Sequence, residues 1–118
     1  MKNSMLKKVA LLLLITVSLG NVYAQKVKGN GKMINKTRNV GSFDGVGVSG
    51  SFDVILVAGN EGKLEISVEE NLEPYLITEV SGGSLKIKWK KGTNIRTTKS
   101  TQVTVHFKEI NSLAMSGS

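Results

Sequence analysis

An all-β fold is predicted by three features of the sequence. Apolar and polar residues alternate with period two over several short runs. Gly- and Asn-rich turn signals separate those runs, and one nine-residue unit occurs twice. The elements follow in chain order. Gly29-Asn30-Gly31 is the first turn. Phe52, Val54 and Leu56 then alternate with Asp53, Ile55 and Val57, so apolar a run that it reads as a strand buried on both faces. Leu64, Ile66 and Val68 alternate with Glu65, Ser67 and Glu69, after the turn Gly59-Asn60-Glu61-Gly62. Glu70 to Leu76 gives a hint of one helical turn, with Asn71 placed to cap it and Pro74 suited to its start. Leu85, Ile87 and Trp89 against Lys86, Lys88 and Lys90 form the clearest alternation and put Trp89 in the core. Val103, Val105 and Phe107 close the series, with His106 on the solvent side beside Gln102 and Thr104.

The repeat is Phe43-Asp44-Gly45-Val46-Gly47-Val48-Ser49-Gly50-Ser51 against Ile110-Asn111-Ser112-Leu113-Ala114-Met115-Ser116-Gly117-Ser118. Each copy reads as a short strand running into a Ser-Gly-Ser corner. Repetition of one strand-and-corner unit predicts stacked coils, a β-solenoid; a β-sandwich with similar turns is the alternative.

The front of the chain reads as an address. Lys2, Lys7 and Lys8 precede the apolar run Val9 to Leu19, and Val22 and Ala24 supply the small residues of a cleavage box. Eleven residues rise only ~16 Å as a helix, short of a ~30 Å hydrocarbon core. Residues 1–24 are therefore expected to be a secretory signal cleaved between Ala24 and Gln25, leaving no membrane span in the mature chain. Of the 16 basic residues three lie in this leader, so 13 remain against 9 acids, and the formal +7 becomes +4.

The pieces Gly29-Asn30-Gly31-Lys32, Ser42-Phe43-Asp44-Gly45-Val46 and Val48-Ser49-Gly50-Ser51-Phe52-Asp53-Val54 carry a resemblance. So do Glu70-Asn71-Leu72-Glu73-Pro74-Tyr75, Gly83-Ser84-Leu85-Lys86-Ile87 and Ile110 to Ser118. In this order they resemble the auto-transporter adhesin head GIN domain family of Bacteroidetes-type bacteria, over nearly all of the mature chain. The resemblance implies export and an irregular right-handed β-helix, with adhesion as its label and no catalytic residues to carry over. Family members continue past the second Ser-Gly-Ser corner. Residues 25–118 are accordingly expected to be the N-terminal part of one domain, with Val103, Val105, Phe107, Leu113 and Met115 short of cover.

Composition narrows the chemistry. Absence of Cys excludes disulfides, thiolate nucleophiles, Cys-based zinc sites and lipid attachment through cysteine; one His excludes a multi-histidine metal site. No metal or cofactor is expected. Gly45-Val46-Gly47-Val48-Ser49-Gly50 fits a dinucleotide fingerprint by letter, but a strand and not a helix follows it. Asp44, Asp53, Glu65 and Glu69 are the carboxylates a polysaccharide-active enzyme would pair; the plainer reading is a turn residue and solvated strand faces. Lys86, Lys88, Lys90, Lys91 and Arg96 form a basic strip with no acid between Ser81 and Lys108. Such a strip suits an acidic glycan or an anionic surface, and it lacks the interleaved aromatics that nucleic acid needs. The sequence therefore points to an exported, non-catalytic envelope or adhesion-type module, in the periplasm, at the surface or outside the cell. Its expected partner is a glycan, another envelope polymer or a surface protein. A polysaccharide-active enzyme on a β-helix is the alternative.

Overall fold

The computed structural model describes residues 24–117, so the leader expected over 1–24 lies, but for Ala24, outside the described residues. Among the described residues ten strands follow one another: β1 Gln25–Lys28, β2 Met33–Asn39, β3 Gly45–Ser49, β4 Asp53–Ala58, β5 Lys63–Glu69, β6 Leu76–Ser81, β7 Ser84–Trp89, β8 Thr93–Arg96, β9 Gln102–Phe107 and β10 Ser112–Ser116. Among the described residues one 3-10 turn, Glu73–Tyr75, precedes β6, with Pro74 in its first turn as expected. Asn71 does not cap it. Its carboxamide instead accepts from the Asn30 amide and donates to the Lys28 carbonyl, tying the end of β5 to the end of β1.

Two four-stranded sheets, ordered β10-β3-β7-β6 and β2-β5-β9-β4, contribute side chains to one core; β1 and β8 form a two-stranded parallel ribbon. Val46, Val48, Leu76, Leu85 and Ile87 come from the first sheet and Leu64, Ile66, Val68, Val103 and Val105 from the second. Phe43, Phe52 and Leu72 join them from the connections. This is the period-two alternation made physical, one face of each strand dry and the other wet. Packing is sandwich-like. The solenoid expected from the repeat is corrected here, because β2–β5, β5–β9 and β6–β7 run antiparallel, and a coil that always climbs one way makes only parallel neighbours. The β6–β7 reversal is a two-residue hairpin through Gly82 and Gly83. Both have positive φ, +60° and +79°, the backbone that a twist-matched tight hairpin requires.

The repeat does have a structural meaning. β10 lies parallel to β3 with Ser112 opposite Gly45, Leu113 opposite Val46 and Met115 opposite Val48. The two copies therefore stack on each other in the register in which their sequences align.

The sandwich has one closed side and one open side. Arg38, near the end of β2, reaches across to the other sheet. Its guanidinium donates to the Leu76 carbonyl at 2.7 Å, the Thr78 hydroxyl at 3.1 Å, the Glu73 carbonyl at 3.1 Å and the Glu73 carboxylate at 3.0 Å. β2 thus sits over β6, and β4 and β10 mark the opposite, open side. There Ile55 (44%), Leu56 (37%), Val57 (37%), Leu113 (54%) and Met115 (60%) are exposed. The expectation that Phe52 to Val57 is buried on both faces is corrected: β4 is an edge strand. Leu113 and Met115 lack cover as expected, whereas Val103 and Val105 are fully buried by β4 and β5 on either side of β9. Trp89 packs against Phe52, ring centroids 5.1 Å apart.

Arg38→Ala is expected to cost about 1.5–3 kcal/mol, because two backbone carbonyls and a carboxylate lose a charged, forked donor. Arg38→Lys should recover little of it, since an ammonium cannot fill the fork. Urea midpoints of the three proteins check this.

Candidate functional site

The predicted basic strip divides between two places. Lys86 and Lys88 project from the outer face of β7, beside β3 and then β10. On that face the repeat places only small residues: Gly45, Gly47 and Ser49 from β3, next to Ser112, Ala114 and Ser116 from β10. The inward positions of the same strands are Val46, Val48, Leu113 and Met115, so the small residues are the outward half of the alternation. The result is a shallow groove of about 250 Å³ floored by Gly47, Ser49, Ala114 and Ser116 and walled by the two lysines. Its volume falls below the ~300–1,000 Å³ of small-molecule pockets, which fits an open lane and not a closed binding cavity. The Lys86 stem lies across Gly47, its Cδ 3.4 Å and its Nζ 3.5 Å from where a side chain on Gly47 would begin. Lys88 pairs with Glu79 of β6 at 3.5 Å, both half-exposed. Glu79 thus offsets one of the two charges, and a surface pair of this kind holds with at most ~1 kcal/mol. Among the described residues Lys86 has no ion-pair partner.

Arg96 belongs elsewhere. The β1·β8 register sets Lys26 beside Asn94 and Lys28 beside Arg96. These four share one face, while Val27 and Ile95 turn inward and pack on the core. A groove of about 280 Å³ runs between Lys26, Lys28, Asn94 and Arg96. Neither strand carries an acid, and no ion pair is made by Lys26, Lys28 or Arg96 among the described residues. Lys90 and Lys91 sit at the turn joining β7 to β8, where the Gln25 amide donates to the Gly92 carbonyl at 2.8 Å. Sequence reading missed Lys26 and Lys28. The signal was there, a short Lys-Val-Lys alternation matching Asn-Ile-Arg, but four residues are too few to name a strand.

The carboxylates do not assemble a catalytic pair. Asp53 and Glu65 do share the outer face of their sheet, but β9 lies between them: Asp53 is opposite Gln102, and Glu65 is opposite Thr104. Two strand spacings across and two residues along put their backbones ~12 Å apart, and among the described residues no hydrogen bond or shared partner joins their carboxylates. Glu65 instead accepts a hydrogen bond from His106 Nε2 at 3.1 Å and lies 3.6 Å from Lys63. The His106 bond and the Lys63 charge hold its carboxyl below the ordinary value. His106 is largely buried, its side chain 12% exposed, which corrects the expectation of a solvated imidazole.

Glu69 is the larger correction. Read as a solvated strand residue, it is fully buried at the end of β5. Its carboxylate accepts from the Gly31 amide at 2.8 Å, the Thr98 amide at 3.0 Å, the Thr98 hydroxyl and the Lys99 amide. Burial pushes this carboxyl up, and the four donors outweigh it, leaving it below its ordinary value. It is a clasp joining the first turn, β5 and the loop before β9. Among the described residues no three His, Asp or Glu side chains gather as metal ligands.

Comparison with known proteins fits this architecture. The family model described as "Putative auto-transporter adhesin, head GIN domain" matches residues 42–118, from just before β3 to the end of the second repeat copy. The chain belongs to the head GIN domain family. Among solved structures, this GIN-domain chain is similar to a "putative adhesin" from Parabacteroides merdae, with a TM-score of 0.72 and 27% identity, covering 80% of this chain and 39% of that one. It is similar to a "putative lipid binding protein" from Parabacteroides distasonis, at TM-score 0.67 and 27% identity, covering 79% and 42%. A second "putative adhesin" from Parabacteroides distasonis gives 0.70 and 25% identity, covering 79% and 40%. The chain thus spans about two fifths of the length of these structures. No curated protein matches it. The matched span omits β1 and β2, so Lys26 and Lys28 lie outside it.

Proposed function

We propose that this GIN-domain chain is an exported, non-catalytic adhesion-type module that holds an acidic glycan or similar envelope polymer along the β3·β7·β10 face. The observation that carries the reading is the lane itself. Small residues from both repeat copies let a flat polymer approach the sheet backbone, and Lys86 and Lys88 stand where its carboxylates or phosphates would pass. Adhesin-type relatives of the same fold support the choice of a binding role over a chemical one. In this reading residues 25–118 are the N-terminal part of one domain, and later strands cover the open side at β4 and β10.

Retention of the protein on an immobilised acidic polysaccharide such as alginate tests the lane. It should fall with added salt, and the Lys86→Ser, Lys88→Ser variant should bind roughly 3- to 10-fold more weakly. Equal retention of the variant would remove the lane from the proposal. The open side has its own test. The 118-residue chain should bind an apolar dye and self-associate, and Leu113→Ser with Met115→Ser should reduce both. A monomer that ignores the dye would count against the later strands.

A further inference from the structure

The cationic face of the two-stranded ribbon is separate from the lane and asks for its own explanation. Lys28 stands directly beside Arg96 in a parallel pair, with Lys26 two residues away on the same face and Asn94 at the fourth corner. Like charges side by side on neighbouring strands destabilise a sheet. A fold with no use for them would be expected to place an acid between them, as Glu65 sits between Lys63 and His106 and as Glu79 answers Lys88. No acid occurs on β1 or β8. The face is held firmly, because Val27 and Ile95 behind it pack on the core and the Lys28 carbonyl is bonded by Asn71.

We propose that the Lys26, Lys28, Asn94 and Arg96 face of the β1·β8 ribbon docks the protein on an anionic lipid surface, its cations meeting headgroup phosphates. Charge complementarity selects an anion, and the layout selects a surface. The three cations spread over two strands, ~4.8 Å apart across and ~7 Å along, in a patch and not in a line like Lys86 and Lys88. Lipid anions diffuse in the plane and gather under such a patch; a polymer of fixed spacing needs a track. Lys90 and Lys91, in the turn bonded to Gln25, extend the positive region beside it. The face presents no apolar side chain to insert, so attraction is electrostatic, of short range and sensitive to salt.

The test uses the 118-residue chain and flotation with vesicles of phosphatidylcholine, with and without phosphatidylglycerol. Lys2, Lys7, Lys8 and the apolar run Val9 to Leu19 are common to wild type and variant, so the readout is the difference between the two proteins in the ratio of anionic to neutral binding. Wild type should prefer anionic vesicles, and the preference should vanish in 0.5 M salt, where screening is roughly complete beyond a few ångströms. The Lys26→Ser, Lys28→Ser, Arg96→Ser variant should lose about 100-fold of the preference. These positions are solvent-facing, and an unchanged circular dichroism spectrum confirms the fold. An undiminished ratio in the triple variant, or a preference that survives high salt, would overturn the proposal. So would retention on alginate through these three residues with no preference for anionic vesicles, which would make the face a polymer site. Alginate retention of the lane variant is measured separately, so failure of the lane and failure of this face are distinguishable.

Discussion

Glu69→Ala is expected to remove about 3–5 kcal/mol of folding stability, seen as a large fall in the urea midpoint. Three backbone amides and the Thr98 hydroxyl point at this carboxylate in a fully buried site. Each buried donor left without a partner costs ~1–3 kcal/mol, less where water enters the space. A domain of this size holds only ~5–15 kcal/mol in total, so the variant should be near the limit of folding. Glu69→Gln keeps the shape but turns one acceptor into a donor facing donors, and should cost about 1.5–3 kcal/mol. The same site sets an acid limit. The folded carboxyl lies below the ordinary 4.5, so the folded state takes up a proton less readily than the unfolded one. Its contribution is complete above the unfolded value and is lost as pH falls through the folded one. Stability of the wild type should therefore drop steeply below about pH 4.5, and the drop should be shallower in Glu69→Gln. Equal acid slopes for the two would place the acid sensitivity elsewhere.

The sequence makes the core strands legible and the clasp invisible, for the same physical reason. Period two reports which face is wet. Leu64, Ile66 and Val68, Leu85 and Ile87, and Val103 and Val105 all turn inward as their alternation says. Glu69 continues the alternation as a polar position, and nothing local says that a distant turn and a distant loop will close over it. Three of the four donors that make its burial tolerable are backbone amides, of Gly31, Thr98 and Lys99, which carry no residue signature; the fourth is the Thr98 hydroxyl, 29 residues away in sequence. Strand direction is hidden in the same way. Phe52 to Val57 reads as doubly buried because its composition is apolar on both faces, yet pairing with β9 alone leaves it at an edge. The repeat gave its pairing correctly and its architecture wrongly: two copies stacking in register require one parallel contact, not a solenoid. The lane beside Lys86 was within reach of sequence, since Gly45, Gly47, Ser49 and their counterparts Ser112, Ala114, Ser116 are all small. What sequence lacked was the neighbour, because only pairing places β7 and its lysines along that row.

Gly29→Ala should cost nearly as much as removing Glu69, and for the same reason. A Cβ on Gly29 would lie 2.1 Å from one Glu69 carboxylate oxygen and 2.2 Å from its carbon and its other oxygen. No rotamer shift of a tenth or two resolves such an overlap; the carboxylate must leave, and its four donors are stranded with it. We expect a loss of about 3–4 kcal/mol. Gly29 has no left-handed backbone to make alanine costly by itself, and its amide bond to the Arg96 carbonyl at 2.8 Å is kept in alanine. The two sites are therefore coupled. In a Glu69→Ala background the methyl has room, and the remaining effect is the lower entropy of an unfolded chain without that glycine. Gly29→Ala should then be neutral or stabilise by up to ~1 kcal/mol, which gives a coupling energy of about 3–5 kcal/mol, at or above the upper end for residues in contact. Urea midpoints of the four proteins in the cycle measure it. Strict additivity would mean that Gly29 is needed for its own backbone and that the carboxylate does not fill the space a side chain there would occupy.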